Sequence, residues 1–177
     1  HFDVDPSDAI AVDIGASTGG FTDVLLSNGA KRVYAVDVGH GQLAWKIRQD
    51  DRVVILEKTN ARYLDQILIP DPADLIVCDA SFIGLQTVLP APLALAASDA
   101  VLIALIKPQF EVGRSQVGKG GVVRNQKLHD GVCAQISEWL GALRGWSVMG
   151  ITESPISGSE GNKEFLIGAQ RITHNAV

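Results

Sequence analysis

Cysteine is nearly missing from this chain of 177 residues: two thiols, Cys78 and Cys133, lie far apart in apolar runs. Neither a disulfide framework nor a cysteine-based metal site can be built from them, so they read as buried thiols of a reducing compartment. The four histidines (His1, His40, His129, His174) show no ligand spacing, and no metal is expected. Long apolar runs are lacking as well. The most hydrophobic stretch, Val88 to Ile106, is broken by Pro90, Pro92, Ser98 and Asp99, which excludes a spanning helix there. The N-terminus carries no secretory signal, and a soluble, cytoplasmic protein with no membrane partner is expected. Basic charge is also short. Fifteen Lys and Arg against 20 Asp and Glu leave a net charge of −5, which argues against a stand-alone nucleic-acid binder. Methionine does not open the chain; His1-Phe2-Asp3 does, and the sequence reads as a piece of something longer.

What is present suffices for one domain with a core of its own, since 46% of residues are hydrophobic and only 20% charged. The central stretch is Ile10-Ala-Val-Asp13-Ile-Gly15-Ala16-Ser17-Thr18-Gly19-Gly20-Phe21. It reads as a short apolar strand, a glycine-rich turn, and the start of a helix through Ser27. Glycine has no Cβ and tolerates positive φ, so such a turn brings bare backbone close to a ligand. A dinucleotide fingerprint requires G-x-G-x-x-G, but Ser17 stands at the middle glycine. The acid ahead of the first glycine, in Asp-x-Gly-x-Ser-x-Gly, is the layout of an S-adenosylmethionine (SAM) site. An ordinary strand-to-helix turn remains the plain alternative.

Further strands are expected at Arg32–Asp37, Val53–Glu57, Leu75–Cys78, Ala100–Ile106, Val148–Glu153 and Glu164–Gly168. Helical patterns lie at Leu43–Arg48, after Asp79 with breaks near Pro90 and Pro92, and from an Asn125 cap through Arg144. Trp45, Trp139 and Trp146 read as core or helix-face residues. Glu111 to Val123, with four glycines, reads as a flexible loop. Alternating strands and helices imply an α/β fold, a doubly wound, mostly parallel seven-stranded sheet. The last connection is too short for a helix, so the last strand is expected antiparallel. Ligands bind beyond the carboxyl ends of such strands, where Gly15, Asp37, Asn60, Asp79 and Lys107 fall.

Asp79 and Lys107 end neighbouring strands, and Glu164 opens the antiparallel one at the same edge. An Asp, a Lys and a Glu converging there could hold a hydroxyl and guide its proton away. A structural ion-pair network is the plain alternative. Gly113 to Gly120 almost spells a phosphate-binding P-loop but carries Gly120 where Ser or Thr would hold magnesium, so nucleotide hydrolysis is not expected. Arg114, Lys119 and Arg124 read as a mobile basic loop able to touch RNA phosphate, or as a solvated loop. Asp79-Ala-Ser-Phe82 is a faint likeness of the Asp-Pro-Pro-Tyr clamp of amino-group methyltransferases. Phe82 could stack on a base, though a crevice-wall role is the plainer reading.

Four blocks, Asp13-Ile-Gly-Ala-Ser-Thr-Gly-Gly-Phe-Thr-Asp23, Asp79-Ala-Ser-Phe-Ile, Leu105-Ile-Lys-Pro-Gln-Phe-Glu111 and Asn162-Lys-Glu-Phe-Leu166, together resemble the TlyA family. These are FtsJ-like ribosomal RNA 2′-O-methyltransferases, often labelled hemolysins. The resemblance covers nearly the whole chain. It implies a Rossmann-like SAM-dependent fold, SAM as cofactor, and ribosomal RNA or a ribosomal subunit as partner. It also implies a Lys-Asp-Lys-Glu tetrad whose last three members fall on Asp79, Lys107 and Glu164. The first lysine belongs upstream of the glycine motif, and residues 1 to 12 contain none. An N-terminal S4-type RNA-binding domain, also implied, is absent from these residues, and 1–177 is expected to be the single methyltransferase domain. The cofactor set so implied is Asp13, Gly15, Ala16, Ser17, Thr18, Gly19, Gly20, Phe21, Asp37, Val38, Asn60, Ala61 and Asp79. Gly15, Ser17 and Gly19 would take the amino-acid end, Asp37 the ribose and Asn60 the adenine edge. Phe82, Arg114, Lys119 and Arg124 are the candidate RNA contacts. The hemolysin label implies a second, membrane-active reading, for which the sequence offers no long apolar helix and only a weakly basic amphipathic one, Asn125 to Arg144.

Overall fold

The computed structural model describes residues 1–172; the histidine at 174 lies outside them. Seven strands form one sheet: β1 Ile10–Ile14, β2 Arg32–Val36, β3 Val53–Leu56, β4 Ala73–Cys78, β5 Ala96–Ile106, β6 Trp146–Glu153 and β7 Phe165–Arg171. Their order is β3-β2-β1-β4-β5-β7-β6. All neighbours run parallel except at β7, which lies antiparallel between β5 and β6. The helices are α1 Gly20–Ser27, α2 Trp45–Arg48, α3 Leu85–Val88, α4 Pro90–Ala94, α5 Pro108–Glu111 and α6 Gln126–Ala142.

Period-two alternation divides the strands between two cores, as a sheet covered on both faces requires. Ala11, Val33, Ala35, Leu75 and Val77 pack with Leu25, Leu26 and Ile47 of α1 and α2. Val12, Ile14, Val36, Ile76, Leu102 and Ile106 face the other way, toward α3, α4 and the Val132, Ile136, Leu140 stripe of α6. Asn125 caps α6 as its pattern predicts, its side-chain oxygen accepting the Lys127 amide at 3.0 Å.

Several bounds differ from the sequence reading. Strand β5 begins four residues early, at Ala96, because the Ala73 amide donates to the Leu95 carbonyl and extends the ladder. Helix α6 stops at Ala142 rather than Arg144: Leu143 is extended, and Gly145 at φ 80 turns the chain into β6 at Trp146. The second helix shortens to Trp45–Arg48. Strand β7 starts one residue after Glu164 and runs on to Arg171, paired on both sides. Helix α5 lies where no helix was read, and two 3₁₀ turns, Arg114–Gln116 and Lys119–Gly121, interrupt the expected loop. Trp146 is buried and Trp139 partly so, while Trp45 is 70% exposed. Cys78 is buried; Cys133 is only half-buried.

Candidate active site

Beyond the carboxyl ends of β1, β2 and β4 opens a cleft of about 690 Å³. Gly15, Ser17, Asp37, Val38, Asn60, Ala61, Asp79 and Phe82 line it, as do Gln42, Thr59, Arg62 and Ser81, which the sequence did not single out. Ala16 faces a smaller adjoining hollow. Thr18, Gly19, Gly20, Phe21, Lys107, Glu164 and the three loop cations do not line the cleft.

The glycine turn owes its glycines to protein packing as much as to any ligand. Gly15 sits at φ 79, and a Cβ there would approach the Asp79 carbonyl to 2.8 Å. Gly19 caps α1 at φ 100, and its Cβ would overlap Ile47 of α2. Ser17 adopts positive φ without being glycine (φ 48), held by its amide donating 2.8 Å to Asp37. The other Asp37 oxygen accepts the Gly39 amide at 2.7 Å. Each carboxylate oxygen keeps lone-pair capacity for a further donor. Asn60 accepts the Arg62 amide through its oxygen, and its amide nitrogen makes no protein hydrogen bond among the described residues.

Asp13 points elsewhere. It shares strand parity with Ala11, so its carboxylate lies under α1 and accepts the Thr22 hydroxyl at 2.6 Å. It is fully buried, and its Oδ1 has no protein partner. Burial pushes its pKa up to about 6 against the Thr22 hydrogen bond, with Asp79 and Asp37 adding repulsion.

At the ends of β4 and β5, Asp79 Oδ1 and Lys107 Nζ lie 2.6 Å apart. The Lys107 side chain is 10% exposed and that of Asp79 42%, so the pair bridges the interior and the cleft wall. Lys107 also donates to Ser81 Oγ at 3.0 Å. Glu164 reaches the same edge but turns to Gln109, whose amide donates to it at 2.9 Å. No ion pair within 4.0 Å joins Glu164 to Lys107, so the expected three-way convergence is a pair with a third carboxylate beside it.

Helix α5 explains the arrangement. From Lys107 to Glu111 it reaches the 79–85 segment repeatedly: Lys107 to Asp79 and Ser81, Phe110 to Phe82 with ring centres 4.9 Å apart, and Glu111 to the Leu85 amide at 2.8 Å. Glu111 thereby caps α3, and burial raises its pKa. Phe82 stands 89% exposed at φ 64, a strained conformation for a bulky residue, on the cleft mouth. Gln109 and Glu111 lay inside a recognised block, yet nothing in their spacing announced a helical turn.

Arg114, Lys119 and Arg124 are exposed on the segment leading into α6. That segment is tied to the loop before β7 by buried Asn162. Its side chain accepts the Val123 amide and donates to Gly121 and Ser159 carbonyls, each at 3.0 Å. The near-P-loop of Gly113–Gly120 contains 3₁₀ turns and no strand-to-helix turn, so it fails the context that phosphate cradling needs.

The chain that builds this strand-end cleft matches a family description, FtsJ-like methyltransferase, over residues 1–171. The chain belongs to that family. It is 49% identical over 166 residues to the 16S/23S rRNA (cytidine-2′-O)-methyltransferase TlyA of Mycobacterium tuberculosis, covering 94% of this chain and 62% of the relative. It is 42% identical over 168 residues to Hemolysin A of Brachyspira hyodysenteriae, covering 94% and 69%. A solved structure of a candidate hemolysin from Lactococcus lactis superposes with a TM-score of 0.92 at 43% identity, covering 98% of this chain and 85% of that one. The resemblance to TlyA read from the four blocks is borne out, and so is the Rossmann-like fold. The FtsJ-like chain described here spans about three-fifths of the length of the TlyA relative.

Proposed function

We propose that this chain is the catalytic domain of a SAM-dependent methyltransferase acting on a ribose 2′-hydroxyl of ribosomal RNA. The observation that carries the reading is the Asp79–Lys107 pair, 2.6 Å apart, in which Asp79 stands on the wall of the cleft that the glycine turn opens and holds Lys107 just behind it. That the TlyA relative is an rRNA (cytidine-2′-O)-methyltransferase supports it.

The cleft fits the cofactor on three counts. Its volume lies within the roughly 300–1,000 Å³ of small-molecule sites. Asp37 and Asp79 give it acidic walls suited to a ligand bearing an ammonium and a sulfonium. The uncommitted Asn60 amide supplies a donor at the far end. Gly15 and Ser17 would take the amino-acid end and Asp37 the ribose hydroxyls, with Val38, Asn60 and Ala61 around the adenine. Ala16, Thr18, Gly19, Gly20 and Phe21 would shape the turn from behind, and Asp13 would act by anchoring α1 through Thr22.

When bound, SAM supplies an electrophilic methyl whose bond to sulfur breaks as the new O–C bond forms. The chain's own residues must align the hydroxyl and give its proton an exit. Lys107, held by Asp79, either steadies the developing oxyanion as a fixed positive charge or, once it has passed one proton to Asp79, takes up the hydroxyl proton as a neutral amine. Glu164, bonded to Gln109, bounds the same edge. Phe82 at the mouth offers a stacking face for the target base, and Arg114, Lys119 and Arg124 offer contacts to phosphate. Further RNA-binding residues and the first lysine of the tetrad belong, on this reading, to residues outside the 177, and the whole acts in the cytoplasm.

The membrane-active reading gains nothing from the fold. Among the described residues no helix is long and apolar enough to cross a membrane. The apolar face of α6 is spent on the sheet, with Val132, Ile136 and Leu140 buried.

Calorimetry of SAM on this chain, followed by tritium transfer to purified ribosomal subunits in a protein of the relatives' length, tests the proposal. Saturable binding and 2′-O-methylated nucleoside are expected. A folded protein that binds no SAM would overturn it.

A further inference from the structure

We propose that Ser81 is a positioning residue for Lys107, fixing the ammonium so that a single N–H is left for the substrate oxygen. The inference rests on the proposed reaction but concerns a side chain which that reading does not require.

An ammonium carries three N–H donors. One is directed at Asp79 Oδ1, 2.6 Å away, and a second at Ser81 Oγ, 3.0 Å away. The third has no acceptor among the described residues. A lysine held by Asp79 alone can pivot about that contact, because a carboxylate accepts from many directions and the four-carbon stem is flexible. A second acceptor removes the pivot. Two bonds in different directions define where the remaining hydrogen points, as a bidentate clamp would.

The chain's route makes Ser81 the residue able to do this. Asp79 and Ser81 are two positions apart just beyond β4, and both side chains meet the Lys107 ammonium. The backbone is held there from both ends. The Asp79 amide donates to the Ile14 carbonyl at 2.8 Å, and the Leu85 amide donates to Glu111. Between them Phe82 is bent to φ 64 with its ring against Phe110, which turns the chain just after Ser81. Ser81 lines the cleft, whereas Lys107 does not. Ser81 thus touches both the buried ammonium and the cleft. Titratable groups on the neighbouring elements include the Cys78 thiol on β4, Glu111 on α5 and Glu164 before β7. None of them takes a hydrogen bond from the ammonium.

The test reads Lys107 directly and then the reaction. Nitrogen-15 relaxation of the Lys107 ammonium is measured on the SAM-free chain, unsubstituted and carrying Ser81→Ala or Ser81→Thr. The alanine variant should loosen the ammonium and the threonine variant, which keeps the hydroxyl, should restore it. In the protein of the relatives' length, Ser81→Ala should lower kcat about tenfold, the scale of one hydrogen bond to a charged group. KM for SAM should stay within about twofold, since the residues assigned to SAM are unchanged, and Ser81→Thr should recover most of kcat. An equally ordered ammonium in Ser81→Ala, or a loss that falls on KM alone, overturns the inference. If the unsubstituted protein methylates no RNA while the relaxation change persists, the proposed reaction fails and the Ser81–Lys107 coupling stands.

Discussion

Asp13 lies under α1 because alternation along β1 gives it the same face as Ala11, and Thr22 meets it there at 2.6 Å. Its carboxyl rises from 3.8 to about 6 through burial. A carboxyl raised in the folded state stabilises the fold fully below the unfolded value. That contribution is lost as pH climbs from 3.8 through about 6. Two units at 1.36 kcal/mol each make this ~3 kcal/mol. Asp13→Asn keeps an oxygen for Thr22 and removes the charge. Between pH 4 and 6.5 the unsubstituted chain should therefore lose ~2 kcal/mol of this relative to the variant in urea unfolding; parallel profiles would refute the assignment. Lys107 is a different kind of residue, buried but facing an exposed carboxylate. Lys107→Ala in the protein of the relatives' length should leave SAM affinity within about threefold and cut methyl transfer by ~10² or more. Near-normal turnover would reduce Lys107 to a structural partner of Asp79.

Elements matter here through their ends. Helix α5 is four residues long, too short to be stable alone, yet Lys107, Gln109, Phe110 and Glu111 each secure a different part of the site. Its sequence was legible as a block but not as a helix: a proline at its first position fits many turns, and four residues show no period. The segment bearing Arg114, Lys119 and Arg124 depends likewise on Asn162, two residues before Glu164. Removing that side chain strands the buried Val123 amide and two carbonyls. Asn162→Ala should destabilise the fold by about 2 kcal/mol, since an orphaned buried amide costs on the order of 1–3 kcal/mol while the exposed carbonyls turn to water. It should also speed hydrogen exchange at Val123 ahead of global unfolding. Unchanged exchange there would mean that the two loops are not joined through Asn162.

At the scale of the molecule, a net charge of −5 sets the terms for any RNA partner. Attraction must come from local cations, and Arg114, Lys119 and Arg124 are all exposed on the segment leading into α6. If all three touch phosphate, replacing them with glutamine should flatten the slope of log affinity against log salt by about 2, from roughly 0.7 per contact on single-stranded RNA. A slope unaltered in filter binding would assign them to solvent.

The sequence by itself determined the α/β class, the antiparallel last strand, the strand-end location of the cleft and the residue types on its rim. Strand parity, glycine spacing and loop length are local quantities, and they survive reading in one dimension. Tertiary structure alone decided which side chains meet. Glu164 stands at the expected edge but turns to Gln109, and Asp13 belongs to the expected motif but faces α1. Ser81, unremarked in the sequence, touches Lys107. Such pairings depend on packing distances of a few ångströms between strands far apart in the chain. Asp79 and Asp13, carboxylates of neighbouring strands, therefore end in opposite surroundings, one on the cleft wall and one sealed beneath a helix.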